Sequence, residues 1–191
     1  MTGATGQGAV IVVVVYHSGY GHTEQVARHV ARGAGLIADV RVELMAVAGI
    51  DWEVLDAADA IIFGAPTYMG SVSAAFKQFL DDTSRIWFRQ GWQDKLAAGF
   101  ANSGALSGDK QVAIQQIQTF AAQHGMLWVN FPLQPSGTGP DDLNRMGCNS
   151  GLMTQSDNEA PELTPPAGDR RTAELFGRHV AERAVRWKRG A

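Results

Sequence analysis

The sequence predicts an α/β fold, a doubly wound five-stranded parallel sheet with helices on both faces. Three observations lead there. Short apolar runs, Ala9 to Val15 with five valines and Ala60 to Gly64, are too short and the first too β-branched for helices, and read as strands buried on both faces. Amphipathic helical stripes alternate with these runs, the pattern of a parallel sheet built by crossovers. The strands read as first, third and fourth each open into a polar, glycine-bearing loop, and a parallel sheet places those loops together at the carboxyl edge, where open α/β sheets bind ligands.

The first strand leads through Ser18, Gly19, Tyr20 and Gly21 into a helix whose apolar positions are Val26, Ala27, Val30, Ala31 and Ala34. A helix N-terminus carries unpaired N–H groups and the positive end of its dipole. With Ser18, His22 and Thr23 as further donors, this turn is suited to an anion such as phosphate. Plain turn chemistry with an N-cap is the alternative reading of the same residues. Ala38 to Leu44 alternates apolar and polar, as a half-exposed strand near a sheet edge does, and Asp51 to Ala57 suits a short helix. After the third strand, Ala65 to Ser71 forms the second loop. Ser71 or Ser73 then caps a helix with Val72, Ala75, Phe76, Phe79 and Leu80 in one stripe.

Trp87, Phe88 and Trp92 fall in a linker, where aromatics serve either as core plugs or as walls for a flat ligand. Leu96 to Ala101 is the fourth strand and Asn102 to Gly108 the third loop. A helix through Ala113, Ile114, Ile117, Phe120, Ala121 and His124 ends at Gly125, and Met126 to Phe131 is the fifth strand. Residues 132–168 lack periodicity and read as a long functional or partly disordered excursion. A last helix from Arg170 to Lys188 puts Leu175, Phe176, His179, Val180, Ala184 and Trp187 on one face. The 191 residues suit one domain, with the glycine-rich residues 1–8 as a flexible tail.

A net charge of −3, with 45% hydrophobic and 18% charged residues, argues against a nucleic-acid surface. Arg183, Arg186, Lys188 and Arg189 suit the C-terminal end of the last helix. The lone Cys148 excludes an internal disulfide, and no leader or membrane-spanning run is apparent, which together predict a cytoplasmic protein. No metal-ligand cluster is expected. A triphosphate P-loop is missing because no Lys follows Gly21, and G-x-G-x-x-G does not follow the first strand. No G-x-S-x-G follows a strand, which disfavours a serine hydrolase. The first strand ends in Tyr16-His17 rather than acidic residues, which disfavours a phospho-acceptor domain.

Four segments in colinear order resemble one family. They are Tyr16-His17-Ser18-Gly19-Tyr20-Gly21-His22-Thr23-Glu24, the run Phe63 to Ser73, Phe79-Leu80-Asp81 with Trp87 beyond it, and Gln123-His124-Gly125-Met126. Together they are similar to the WrbA-type flavodoxin-like NAD(P)H:quinone oxidoreductases over roughly residues 9–131. The resemblance implies a flavodoxin-like three-layer sandwich that binds FMN, takes hydride from NAD(P)H and passes two electrons to a quinone.

It also implies roles position by position. Ser18, Gly19, Tyr20, Gly21, His22 and Thr23 match the loop around the FMN phosphate. Pro66, Thr67, Tyr68, Met69 and Gly70 match the loop along the isoalloxazine. Asn102, Ser103, Gly104, Ala105, Leu106 and Ser107 match the loop on its pyrimidine side, where N–H groups stabilise negative charge developing near N1. His124 matches a histidine that reaches the flavin, often from a neighbouring subunit. Tyr20 and Trp87, with His124, match positions that orient the nicotinamide or quinone, and no residue is expected to act as a covalent nucleophile. A homodimer or homotetramer is implied as well. Two departures stand out: the family's usual Thr-Gly-Thr-Gly-Gly is here the bulkier Ser103-Gly104-Ala105-Leu106-Ser107, and Leu44 to Asp51 leaves no room for the insertion associated with tetramers. An electron-carrying flavodoxin without NAD(P)H turnover, or an FMN-binding module, is the alternative on the same fold.

Overall fold

A computed structural model describes residues 8–190; most of the glycine-rich stretch read as a tail lies outside the described residues. Strand β1 (Val10–Tyr16) sits inside the sheet between β2 (Val40–Ala46) and β3 (Ala60–Tyr68), and β5 (Leu96–Ser103) follows β3, all parallel. The order is β2, β1, β3, β5, β6 (Leu127–Trp128), which places β2 at the edge that its half-exposed alternation predicts.

Strand residues alternate between two cores, as a period of two requires. Val13, Val15, Ile61, Phe63 and Ala97 pack on one face with Phe76 and Phe79 of α3 (Ala74–Asp82) and Ile114, Ile117 and Phe120 of α5 (Lys110–Gln123). Val12, Val14, Ile62, Ala98 and Phe100 pack on the other with Val26 and Val30 of α1 (His22–Ala34) and Phe176 and Val180 of α6 (Ala167–Gly190). Helices α1 and α6 cross at Gly33 and Gly177. A Cβ on Gly33 would overlap the Glu174 carbonyl, and one on Gly177 the Val30 carbonyl. Lys188, in the basic cluster assigned to the last helix's C-terminal end, reaches back to Asp59 (2.9 Å), whose carboxylate also accepts from Ile11 N–H (2.8 Å). Among the described residues no helix is long and apolar enough to cross a membrane.

Four expectations are corrected. The second loop is mostly strand: β3 continues to Tyr68 and turns back into β4 (Ser71–Val72), with only Met69 (φ 50°) and Gly70 (φ 75°) at the tip. That left-handed pair is the two-residue turn whose twist suits a hairpin. Val72 therefore precedes α3, Ala75 is exposed, and the Ser73 hydroxyl bonds His17 Nδ1 (2.8 Å) instead of capping the helix. The aromatic linker contains α4 (Ser84–Phe88) and separates its members. Trp92 is fully buried with its indole N–H on Asp56, whereas Trp87 and Phe88 are exposed.

The fourth correction is that the fifth strand is split. Trp128 lies opposite Ala97, the chain leaves near Pro132, which has no N–H for a ladder, and β7 (Leu152–Gln155) re-enters opposite Phe100 to Ser103. The excursion thus contains a strand, and it is pinned by a buried ion pair between Arg145 and Asp169 (2.8 Å). The short helix read from Asp51 to Ala57 is α2 (Trp52–Asp56), with the Asp51 carboxylate accepting from the N–H groups of Glu53 and Val54. Cys148 is buried and unpaired.

Candidate functional site

The carboxyl ends of β1, β3, β5 and β7 open into one cleft of about 470 Å³. From β1 and the start of α1 come Ser18, Tyr20, His22 and Thr23; from β3, Pro66, Thr67 and Tyr68; from β5, Asn102, Ser103 and Gly104. The fourth wall, Ser156, Asp157, Asn158 and Glu159, follows β7 and escaped the sequence reading. Its one signal was topological, since the residue after any parallel strand of this sheet reaches the same edge. Recognising it required seeing a four-residue strand in Leu152–Gln155, which shows no alternation.

The first loop offers donors without cations. Gly21 precedes α1 at φ 87°, and the first helical bond is Gln25 N–H to Gly21 O (3.1 Å). No acceptor among the described residues takes the amides of Ser18, His22, Thr23 or Glu24. Among the described residues no lysine or arginine lines the cleft, so a phosphate here would rest on N–H groups, hydroxyls and the helix dipole. His22 Nε2 donates to the Glu159 carbonyl (2.8 Å), and Pro161 lies 2.6 Å from where a Cβ on Gly21 would sit, so the segment after β7 closes the loop's outer side. Gly19 packs against Tyr68, whose hydroxyl lies 2.6 Å from an added Cβ. Burial, the neighbouring Tyr20 and a bond from the Gly19 amide act on the Tyr68 phenol, with burial dominant and the net shift upward.

Two hydroxyls decide whether a ligand fits. Ser18 Oγ and Thr67 Oγ1 are buried with no hydrogen-bond partner among the described residues, although both residues face the cleft. Orphaned buried hydroxyls are costly, and a phosphorylated polar ligand in this cleft would satisfy them. Asn102 is committed elsewhere: its side-chain oxygen accepts from Thr154 Oγ1 (2.8 Å) and Ser156 Oγ (3.2 Å), stitching β5 to β7 beneath the cleft. Met69, fully exposed, and Leu106, largely exposed, stand outside the lining, as do Gly70, Ala105 and Ser107.

His124 and Trp87 are not in this cleft. Both line a second groove of about 670 Å³ between α3, α4 and α5, and no described residue lines both cavities. His124 is 2% exposed, 4.8 Å from the Trp92 ring and 4.7 Å from Phe120. The Thr83 hydroxyl donates to Leu80 O (2.7 Å), so His124 Nε2–H donates to Thr83 Oγ1 (2.9 Å) and Nδ1 is the bare, unpartnered nitrogen. One chain therefore brings Tyr20 to the cleft and leaves Trp87 and His124 on another face.

Comparison with known proteins agrees with this geometry. Residues 52–132 match the family described as NADPH-dependent FMN reductase. Flavodoxin FldP of Pseudomonas aeruginosa (strain UCBPP-PA14) is 46% identical over 175 residues, covering 88% of this chain and 94% of that protein. An NAD(P)H dehydrogenase (quinone) of Syntrophus aciditrophicus (strain SB) is 28% identical over 194 residues, covering 89% and 95%. Among solved structures, the flavodoxin, WrbA-like protein from Agrobacterium tumefaciens shares 41% identity with a TM-score of 0.75, covering 93% of this chain and 99% of that one. A four-loop cleft at the sheet's carboxyl edge, lined by free amides and unpartnered hydroxyls, and relatives of this similarity lead to one conclusion: the chain belongs to the WrbA-type flavodoxin-like proteins, an FMN-binding family.

Proposed function

We propose that this chain is an FMN-dependent oxidoreductase that accepts hydride from NAD(P)H and delivers two electrons to a quinone. The observation that carries it is the pair of orphaned hydroxyls, Ser18 Oγ and Thr67 Oγ1, in a cleft rimmed by flat, exposed aromatic faces, Tyr20 and Tyr68. Ser18 and the amides at the start of α1 would hold the phosphate, Thr67 and Tyr68 would flank the ring system, and Ser103 and Gly104 would face its pyrimidine side. FMN, when bound, supplies the hydride and electron chemistry itself. The protein's part is to bind, to orient and to exclude water. A half-exposed aromatic at Tyr68 and an exposed one at Tyr20 offer stacking surface for a nicotinamide or a quinone.

Trp87 and His124 join this reading only through a second copy of the chain, since within one chain they line a different groove. A homo-oligomer that apposes the groove of one copy to the cleft of another would bring the exposed Trp87 to Tyr20, with the buried His124 in the groove wall. The test is direct: reconstitute with FMN, then follow NADH and NADPH oxidation with benzoquinone, with particle mass measured in parallel. Turnover with quinone supports the reading; FMN binding without turnover overturns the enzyme and leaves an electron carrier. That second reading draws on FldP, the relative at 46% identity, which bears the name flavodoxin. Absence of FMN binding overturns both.

A further inference from the structure

Behind the third loop lies a charge that the cleft does not show. Lys110, the first residue of α5, is fully buried. Its Nζ donates to Ser103 Oγ (3.0 Å), Ala105 O (2.7 Å) and Leu106 O (2.9 Å), which uses all three ammonium hydrogens. Gly104 O accepts from Gln155 Nε2 (3.0 Å), and Ser107 O accepts from Lys110 N–H (3.3 Å). Every carbonyl from Gly104 to Ser107 is thus held from the protein side. No acceptor among the described residues takes the amide N–H groups of Gly104, Ala105, Leu106 or Ser107. In a trans peptide the N–H and C=O point opposite ways, so drawing the carbonyls of Ala105 and Leu106 toward Lys110 turns the amides of Leu106 and Ser107 away from it.

The charged groups around this lysine do not neutralise it. Arg145 and Asp169 pair with each other at 2.8 Å, and Gln155 bonds both, its Oε1 accepting from Arg145 (2.9 Å) and its backbone N–H donating to Asp169 (2.8 Å). Asp157 accepts from Gln155 Nε2 (2.7 Å), and Asp109 precedes Lys110 in the chain. Lys110 itself makes no ion pair among the described residues. The ammonium is held by three neutral acceptors with no anion paired to it, which leaves its positive charge uncompensated behind the loop.

We propose that Lys110 is a positioning residue of the cofactor site: its ammonium, bonded to Ser103 Oγ, fixes the third loop where Ser103 and Gly104 line the cleft and biases the cleft toward the negatively charged, reduced form of its ring ligand. This rests on the FMN reading. Removing the charge lowers the ratio of reduced-FMN to oxidised-FMN affinity, whereas loss of a purely structural contact weakens both alike. Burial pushes the ammonium down to about 8, with Asp169 pulling it up and Arg145 pushing it down, so its protonation is also readable in an accessible range.

The experiment measures the affinities of the full chain for oxidised and reduced FMN and the midpoint potential from pH 6 to 10. In Lys110→Met the affinity ratio falls about tenfold, equivalent to about 30 mV for a two-electron couple. Lys110→Arg, which keeps the charge and does not titrate, restores the ratio. The wild type shows an inflection in potential near pH 8 that neither variant shows. An unchanged ratio in folded Lys110→Met overturns the inference while leaving FMN binding intact. Should that variant fail to fold, a wild-type potential without the inflection overturns it. A wild type that binds no FMN removes the proposed function and this inference together.

Discussion

Ser18 and Thr67 are small residues whose environment makes opposite demands with and without ligand. Each buries a hydroxyl that nothing among the described residues satisfies. Ser18→Ala and Thr67→Val should therefore stabilise the ligand-free protein by about 1 kcal/mol each, read from urea unfolding. Ser18→Ala should at the same time weaken FMN roughly tenfold or more, read by quenching of flavin fluorescence, because a bond to a phosphate is lost. Loss of stability together with unchanged affinity would contradict this assignment. His124 makes a different demand. Burial pushes its imidazole down to about 4, below the ordinary 6.5 of the unfolded chain. Folding therefore keeps the ring neutral while the unfolded state takes a proton below pH 6.5. Stability is full above that value and falls as the pH drops from about 6.5 to 4, by at most about 3 kcal/mol. Urea midpoints at pH 7.5 and 5 measure the fall, and His124→Phe should flatten it.

Helices α1 and α6 meet through Gly33 and Gly177, where each would-be side chain faces the other's backbone rather than a movable side chain. Gly177→Ala should cost about 3 kcal/mol and lower the melting temperature by roughly 6 to 12 °C, measured calorimetrically. An alanine accepted without loss would mean the crossing is looser than described. Much at this scale was legible beforehand. The valine run of β1, the edge alternation of β2, the short helix α2 and the stripe of α6 are local patterns, and local patterns write themselves into sequence. What escaped notice depends on partners far along the chain. The hairpin at Met69 and Gly70 uses a non-glycine at positive φ, α4 is only five residues long, and β7 has four residues whose pairing with β5 no periodicity announces. The same reason hid the wall from Ser156 to Glu159, while the loops after β1, β3 and β5 were visible in their glycines and hydroxyls.

For the molecule as a whole, the cleft is a place where four distant stretches of chain are held together by the sheet and by bonds such as His22 to Glu159 and Thr154 to Asn102. A ligand that bridges them binds only the folded state, so FMN at a hundred times its dissociation constant should add about 2.7 kcal/mol. For a chain of this size that is a rise of roughly 5 to 11 °C in melting temperature, and a melt unmoved by FMN would speak against the site. The interrupted fifth strand has a separate bearing. Trp128 and Leu152 face Ala97 and Phe100, three residues apart on β5, a separation of about 10 Å. The thread departs and comes home three rungs apart on the same ladder, so the sheet sets its two ends and not its length. Residues inserted at the exposed Gln134 and Pro135 should therefore lengthen the detour without displacing any rim that grips the ligand.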